Sequence, residues 1–226
     1  MNIQTPYSGS TGNLTRIGDL LIDPGVPLRM IKQALNFRLS EISGCLVTHE
    51  HGDHSKGTRD LMRAGVDCYM GRETAAGLGL KGHRLHTIRP KEQFRIGEWT
   101  ILPFPLVHDV ECLGFLMVKG EERVLFCTDT EYIPYRFQGL TRILLGIDYD
   151  AEILKENTLL GTVDPERAKR TLANHMSIST ALNFFRANDM SRVREIWLLH
   201  ISGTNGSPSE FSEAVKRITG RPTYTV

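Results

Sequence analysis

The run Thr48-His49-Glu50-His51-Gly52-Asp53-His54 constrains this chain more than any other stretch. It sets three imidazoles and the Asp53 carboxylate within six positions, directly after the apolar run Gly44-Cys45-Leu46-Val47. A polar loop that merely caps a helix has no need of three histidines. The HxHxDH spacing at the end of a strand fits a metal, and imidazole with carboxylate oxygen suits zinc, manganese or iron. If the segment is still extended, His49 and His51 project from one face and grip one cation together. Gly52 then allows a tight turn. Ser55 is expected to cap a helix over about 56 to 64, which puts Asp53 and His54 at its mouth. There the positive end of the helix dipole would disfavour protonated His54 and keep it a neutral ligand.

Three more metal-competent side chains follow apolar runs: His108 after Leu102 to Val107, Asp129 after Val124 to Thr128, and His200 after Ile196 to Leu199. Strand ends gather at a sheet edge, so residues far apart in sequence can meet there. Taken singly, they read equally well as a loop histidine, a helix cap and a strand-end histidine. Five of the eight histidines occupy such positions. His83 and His86 lie in a basic, loop-like stretch and read as surface residues.

The remaining pattern is that of an ordinary globule. Short strands are expected at 14–17, 20–23, 45–48, 68–70, 93–96, 99–104, 113–118, 124–127, 142–147 and 193–199, with a final one at 223–226. Helices are expected at about 27–36, 73–78, 165–173, 178–187 and 208–219. Asp164-Pro165-Glu166 and Ser177 mark two of the helix starts. Strands followed by helices in both halves fit two sheets packed face to face with helices outside, a four-layer αββα sandwich, as one domain over residues 1–226. The net charge of +1 excludes a global nucleic-acid-binding field, although residues 55–95 carry nine Lys/Arg against four Asp/Glu. That stretch is either a phosphate-facing surface or a solvated basic face. Cys45, Cys68, Cys112 and Cys127 form no CxxC pair and read as buried reduced thiols. The start lacks a signal peptide and no apolar run is long enough to cross a bilayer, so a complete, cytoplasmic chain is expected.

Leu21-Ile22-Asp23-Pro24-Gly25, the HxHxDH loop, His108, Asp129 and His200, in that order, resemble the metallo-β-lactamase superfamily. Ser8-Gly9-Ser10-Thr11-Gly12-Asn13, Thr128-Asp129-Thr130, Asn174-His175-Met176-Ser177 and Leu199-His200-Ile201-Ser202 are similar to its YycJ/WalJ group, small exonuclease-like members related to ribonucleases J and Z. The group usually has a glutamate-led run where this chain has Gly146-Ile147-Asp148-Tyr149-Asp150, and Gly-His-Leu-Ser where it has Asn-His-Met-Ser.

The resemblance implies two divalent ions (zinc or manganese, with iron also compatible). His49, His51 and His108 would hold one, and Asp53, His54 and His200 the other. Asp129 would bridge them, and Asp23 would orient a ligand histidine from behind. Such a pair readies a bridging hydroxide near neutral pH. Two cations against Asp53, Asp129 and hydroxide leave a positive centre suited to a phosphodiester. Asp53 counts as catalytic as well as ligating. His175, with Ser177 beside it, is the candidate for gripping the phosphate and protonating the leaving oxygen; otherwise His175 is a connector between two helices. Asp148 or Asp150 would support the site or turn the chain.

Neither a cysteine ligand, as in β-lactamase-like sites, nor a large C-terminal helical domain, as in glyoxalase II-like enzymes, is present, and flavodiiron-like proteins carry glutamate where His51 stands. Only 71 positions separate Asp129 from His200, too few for the inserted clamp of ribonuclease J-like enzymes. Polymer affinity would then come from the 55–95 face or from a homodimer. The expected activity is therefore hydrolysis of DNA or RNA ends, without membrane attachment. Alternatives are a cyclic-nucleotide phosphodiesterase, an ester, lactone or thioester hydrolase, and a non-catalytic interaction module.

Overall fold

The computed structural model describes all 226 residues, Met1–Val226. They divide into two compact units, Met1–Pro105 with Val110–Leu113, and Leu106–Asp109 with Gly114–Val226.

In the first unit, β1 (Ile3–Tyr7), β2 (Leu14–Ile17) and β3 (Leu20–Ile22) form an antiparallel meander. The sheet continues in parallel through β4 (Gly44–Leu46), β5 (Cys68–Gly71) and β6 (Leu85–Ile88), in the spatial order β1 to β6. Parallel neighbours require crossovers, and helices supply them. They are α1 (Leu28–Ala34), the pair α2 (Gly52–Ser55) and α3 (Thr58–Arg63), and α4 (Arg72–Gly77). Leu21, Ile31, Cys45, Leu61 and Met70 belong to the core that these elements share. A hairpin of β7 (Phe94–Ile96) and β8 (Trp99–Pro105) turns at Gly97, whose φ of 55° suits glycine.

In the second unit, β9 (Leu113–Lys119) pairs antiparallel with β10 (Glu122–Cys127). Then β11 (Arg142–Gly146), β12 (Glu195–Leu199) and β13 (Thr223–Thr225) join in parallel. Every residue of β11 is buried, as expected for a central parallel strand covered on both faces. Helices α5 (Ala151–Leu159), α6 (Pro165–Asn174) and α7 (Ile178–Ala187) connect β11 to β12, and α8 (Pro208–Thr219) leads to β13. On β10, Glu122 accepts bonds from Thr141 and from the Arg142 and Arg194 guanidiniums. Burial pushes its carboxyl up, but the Thr141 hydroxyl and the two guanidiniums outweigh that and hold it below the ordinary glutamate value.

Two sheets with helices are the expected α/β class. No helix is long and apolar enough to cross a membrane. All four cysteines are buried and unbridged, and burial pushes the Cys45 and Cys127 thiols well above their usual range.

Four local expectations need correction. Helix formation begins at Gly52, not Lys56, so Asp53 and His54 lie inside α2 rather than before it. Ser55 is not an N-cap; its hydroxyl donates to the carbonyls of Glu50 and His51 instead. His86 lies on β6, its ring stacked on Tyr69 at 4.6 Å, rather than in a loop. Helix α5 was not foreseen, although its cap is ordinary: Asp150 accepts from the backbone N–H groups of Glu152 and Ile153. The segment Ala151–Leu159 buries only Leu154, so it lacks the apolar stripe by which a helix is recognised.

Candidate metal centre

The first unit presents its cluster where β3 and β4 end, the usual place for ligand-binding groups on parallel strands. The chain leaves β3 at Asp23, whose φ of 54° is left-handed. That conformation costs roughly 1–2 kcal/mol for a residue with a Cβ. It turns the Asp23 carboxylate inward, where it is 1% exposed. Asp23 accepts from the Thr48 backbone N–H at 2.8 Å, from the Thr48 hydroxyl at 2.9 Å and from His54 Nδ1 at 2.8 Å. Because the Thr48 hydroxyl donates to Asp23, it accepts from His49 Nδ1, 2.9 Å away. One carboxylate thus fixes two imidazoles, His54 directly and His49 through Thr48.

Asn13 completes the arrangement. Its Oδ1 accepts from the Gly9 backbone N–H at 2.8 Å, which fixes the amide's orientation. Its Nδ2 then points at the Asp53 carbonyl at 3.1 Å and at His54 Nε2 at 3.0 Å. His54 is therefore the Nδ1-protonated tautomer, and its Nε2 lone pair faces Asn13 Nδ2, a bond that a metal at Nε2 would replace. The rings of His49 and His51 lie 4.7 Å apart, edge to face, and those of His49 and His54 4.2 Å apart. Asp53 Oδ2 is 3.5 Å from His54 Nε2. All four side chains of the motif are thus held in one cluster. The strand ends at Leu46, before both histidines, so it is the loop rather than strand alternation that brings the His49 and His51 rings within 4.7 Å. Gly25 allows the loops to close: a Cβ there would lie 1.6 Å from the Asp53 carbonyl oxygen.

The second unit gathers its own set. His108 Nδ1 donates to the Asn174 carbonyl at 3.0 Å. Burial pushes its imidazole below the usual histidine value, although the nearby Asp129 opposes this. Asp129, His175 and His200 each offer a ligand atom within 4.8 Å of one another. Asp148 Oδ2 sits 3.3 Å from His175 Nδ1 and 3.5 Å from His200 Nδ1. The rings of His175 and His200 stack at 5.3 Å, and His200, like Asp23, has left-handed backbone (φ 55°). Ser177 is buried and caps α7, accepting from the Thr180 N–H at 3.1 Å. Asp150 serves α5, so of these two aspartates only Asp148 faces the imidazoles, where Asp129 also lies 3.8 Å from His175 Nδ1 and from His200 Nε2 and Asp109 3.3 Å from His108 Nε2.

The donor set fits divalent cations. His49, His54, His108 and His200 each present Nδ1 to a protein oxygen acceptor, the arrangement that orients Nε2 towards a metal. Neutral imidazole is the ligating form, and burial favours it at His108. Thr48 and Asn13 act on the ligands although neither is marked by the metal-ligand spacing. Thr48 could have been suspected from its place between Asp23's strand and His49, whereas nothing in the spacing signals that Asn13 reaches His54.

A model of the β-lactamase superfamily domain matches residues 19–201. The chain belongs to the β-lactamase superfamily. As such it is a metal-dependent hydrolase, in keeping with the fold and the histidine and aspartate clusters. Among curated relatives of this superfamily member, the exodeoxyribonuclease WalJ of Streptococcus pneumoniae (serotype 2, strain D39) is 27% identical over 220 residues, covering 88% of this chain and 80% of that one. The exodeoxyribonuclease YycJ of Bacillus anthracis is 28% identical over 170 residues, 66% of this chain. That alignment spans 63% of the Bacillus anthracis protein's length. The metallo-β-lactamase fold protein YhfI of Bacillus subtilis superposes with a TM-score of 0.68 at 16% identity, over 96% of this chain and 89% of that one. The metallo hydrolase Igni18 of Ignicoccus hospitalis gives 0.66 at 15% identity, over 99% and 94%. These structures share its fold.

Proposed function

We propose that the chain is a two-metal phosphodiesterase that hydrolyses nucleic-acid ends. His49, His51 and His108 would hold one ion and Asp53, His54 and His200 the other, with Asp129 the carboxylate available to both. The observation that carries this reading is the backing of Nδ1 by Thr48, Asp23, Asn174 and Asp148, which turns the Nε2 edge of each ring to the side where a metal would bind. The exodeoxyribonuclease relatives and the basic 55–95 stretch support a nucleic-acid substrate.

Two divalent ions, when bound, would supply a water of lowered pKa and stabilise the charge that develops on the phosphoryl oxygens. The protein's own groups do the rest. Asp23 holds His54 and, through Thr48, His49 in the tautomer that presents Nε2. Asp148 holds the rings of His175 and His200. The His175 side chain is 21% exposed, against 2% for His108 and 9% for His200. It is thus the second-unit imidazole most open to substrate, placed to donate a proton to the leaving oxygen. Asp53, 24% exposed, is the corresponding open carboxylate of the first unit.

A panel of bis(4-nitrophenyl) phosphate, single- and double-stranded DNA, RNA, cyclic nucleotides and a lactone, each with Zn²⁺ and Mn²⁺, tests the reading. Turnover of the phosphodiesters and not the lactone is expected. His175→Ala should keep its metal and lose about 10²–10⁴-fold in turnover, the usual worth of a general acid. Preferential lactone hydrolysis, or a full rate from His175→Ala, would overturn the corresponding part.

A further inference from the structure

Beside Asp53 the first unit carries a cavity of about 420 Å³. This lies within the span of small-molecule sites, roughly 300–1,000 Å³. Its wall combines the hydroxyls of Ser10 and Thr11, the cations Lys56 and Arg59, and the apolar side chains Leu78 and Leu80. The two cations differ in kind. Arg59 Nη2 donates to the Leu78 carbonyl at 3.0 Å and the Gly79 carbonyl at 3.4 Å, so its guanidinium is anchored to the rim. Lys56, one turn before it on the α2–α3 segment, is exposed and makes no ion pair. Glu50 shares the cavity and packs on Gly77, where a Cβ would fall 1.4 Å from its carboxylate oxygen.

We infer that this cavity seats the terminal nucleotide of the strand. Each part of a nucleotide finds its chemistry there. The phosphate meets an anchored guanidinium and an ammonium, which together recognise it by fork geometry and point charge. The base lies against Leu78 and Leu80, and the Glu50 carboxylate accepts from an exocyclic amine. Ser10 and Thr11 offer hydroxyls to the sugar. Since Asp53 lines the same cavity, the seated nucleotide lies next to a proposed metal ligand, and the scissile linkage follows from its position. The inference rests on the phosphodiesterase reading. It adds where the end is held, and that the mononucleotide product competes for the same place.

The test uses the full-length, metal-loaded protein. Binding of dAMP and of inorganic phosphate is measured by titration calorimetry for the wild type, Lys56→Glu and Thr11→Trp, each checked for an unchanged melting curve. KM for a single-stranded decamer is measured alongside. Expected results are dAMP binding at least tenfold tighter than inorganic phosphate, a tenfold or greater loss of dAMP binding in both variants, and a KM for the decamer raised in parallel. Turnover of bis(4-nitrophenyl) phosphate by the wild type separates this inference from the one beneath it. If that turnover is present and both variants bind dAMP and the decamer like the wild type, the cavity is not a nucleotide seat. If the wild type turns over no phosphodiester while dAMP binding is still lost in both variants, the seat stands and the catalytic reading fails. Equal affinity for dAMP and inorganic phosphate would overturn recognition of the nucleoside.

Discussion

Replacing Asp23 by asparagine changes one oxygen to an amide nitrogen at nearly constant volume. Three donors converge on the native carboxylate: the Thr48 N–H, the Thr48 O–H and His54 Nδ1–H. Asparagine offers one acceptor oxygen, and its NH₂ must face at least one of those donors in a site that is 1% exposed. A buried donor without an acceptor costs about 1–3 kcal/mol. At roughly 2–4 °C per kcal/mol for a chain of this size, the metal-free protein should melt about 2–12 °C lower. The effect on metal is separate and larger in consequence. Loss of an orienting partner typically weakens metal affinity about 10–100-fold, or about 1.4–2.8 kcal/mol at 1.4 kcal/mol per decade. Because Asp23 reaches His49 through Thr48 as well as His54, both proposed ions should be affected, not one. Competition against a fluorescent zinc chelator, read for each equivalent of metal, gives the affinities, and calorimetry in chelator gives the melting shift. Wild-type affinity within twofold for both equivalents would refute the argument that Asp23 orients these ligands.

Removing metal with a chelator should lower the melting temperature of the wild type. Saturation at a hundredfold excess over Kd stabilises by about 2.7 kcal/mol per site, some 5–11 °C for a chain of this length, and scanning calorimetry with and without EDTA measures it. Gly25→Ala should destabilise by about 1–3 kcal/mol through overpacking and also weaken metal binding, because the new Cβ would displace the Asp53 carbonyl; denaturant titration and metal competition report the two effects. Glu122 has a folded pKa below its unfolded value, so its contribution to stability is fully present above about pH 4.5 and is lost as pH falls through the depressed folded value. The wild type's advantage over Glu122→Gln in urea should therefore be constant from pH 7 to about 5 and shrink below that.

Strand-end chemistry was readable in the sequence because it is local. The HxHxDH run, the apolar stretches before His108, Asp129 and His200, and the capping residues Asp164 and Ser177 each declare themselves within a few positions. Helix α7 appears at its expected bounds, Ile178–Ala187, because Ser177 caps it and its buried residues recur at helical spacing. The start of α2 was misjudged because Ser55 looks like a cap in sequence, whereas its hydroxyl turns back to carbonyls it follows. The sequence points to a helix dipole at His54; the direct bond from Nδ1 to Asp23, 31 positions away, is what fixes the ring's orientation. Asn13 went unassigned for a similar reason. Its contact with His54 spans 41 positions, and no periodicity encodes such a pair.

The four sealed cysteines give the molecule a built-in clock. Cys45, Cys68 and Cys112 belong to one compact unit and Cys127 to the other. A buried, protonated thiol reacts with iodoacetamide only when its surroundings open. Pulse alkylation followed by peptide mass mapping would therefore time the opening of each half separately, without adding any probe to the chain.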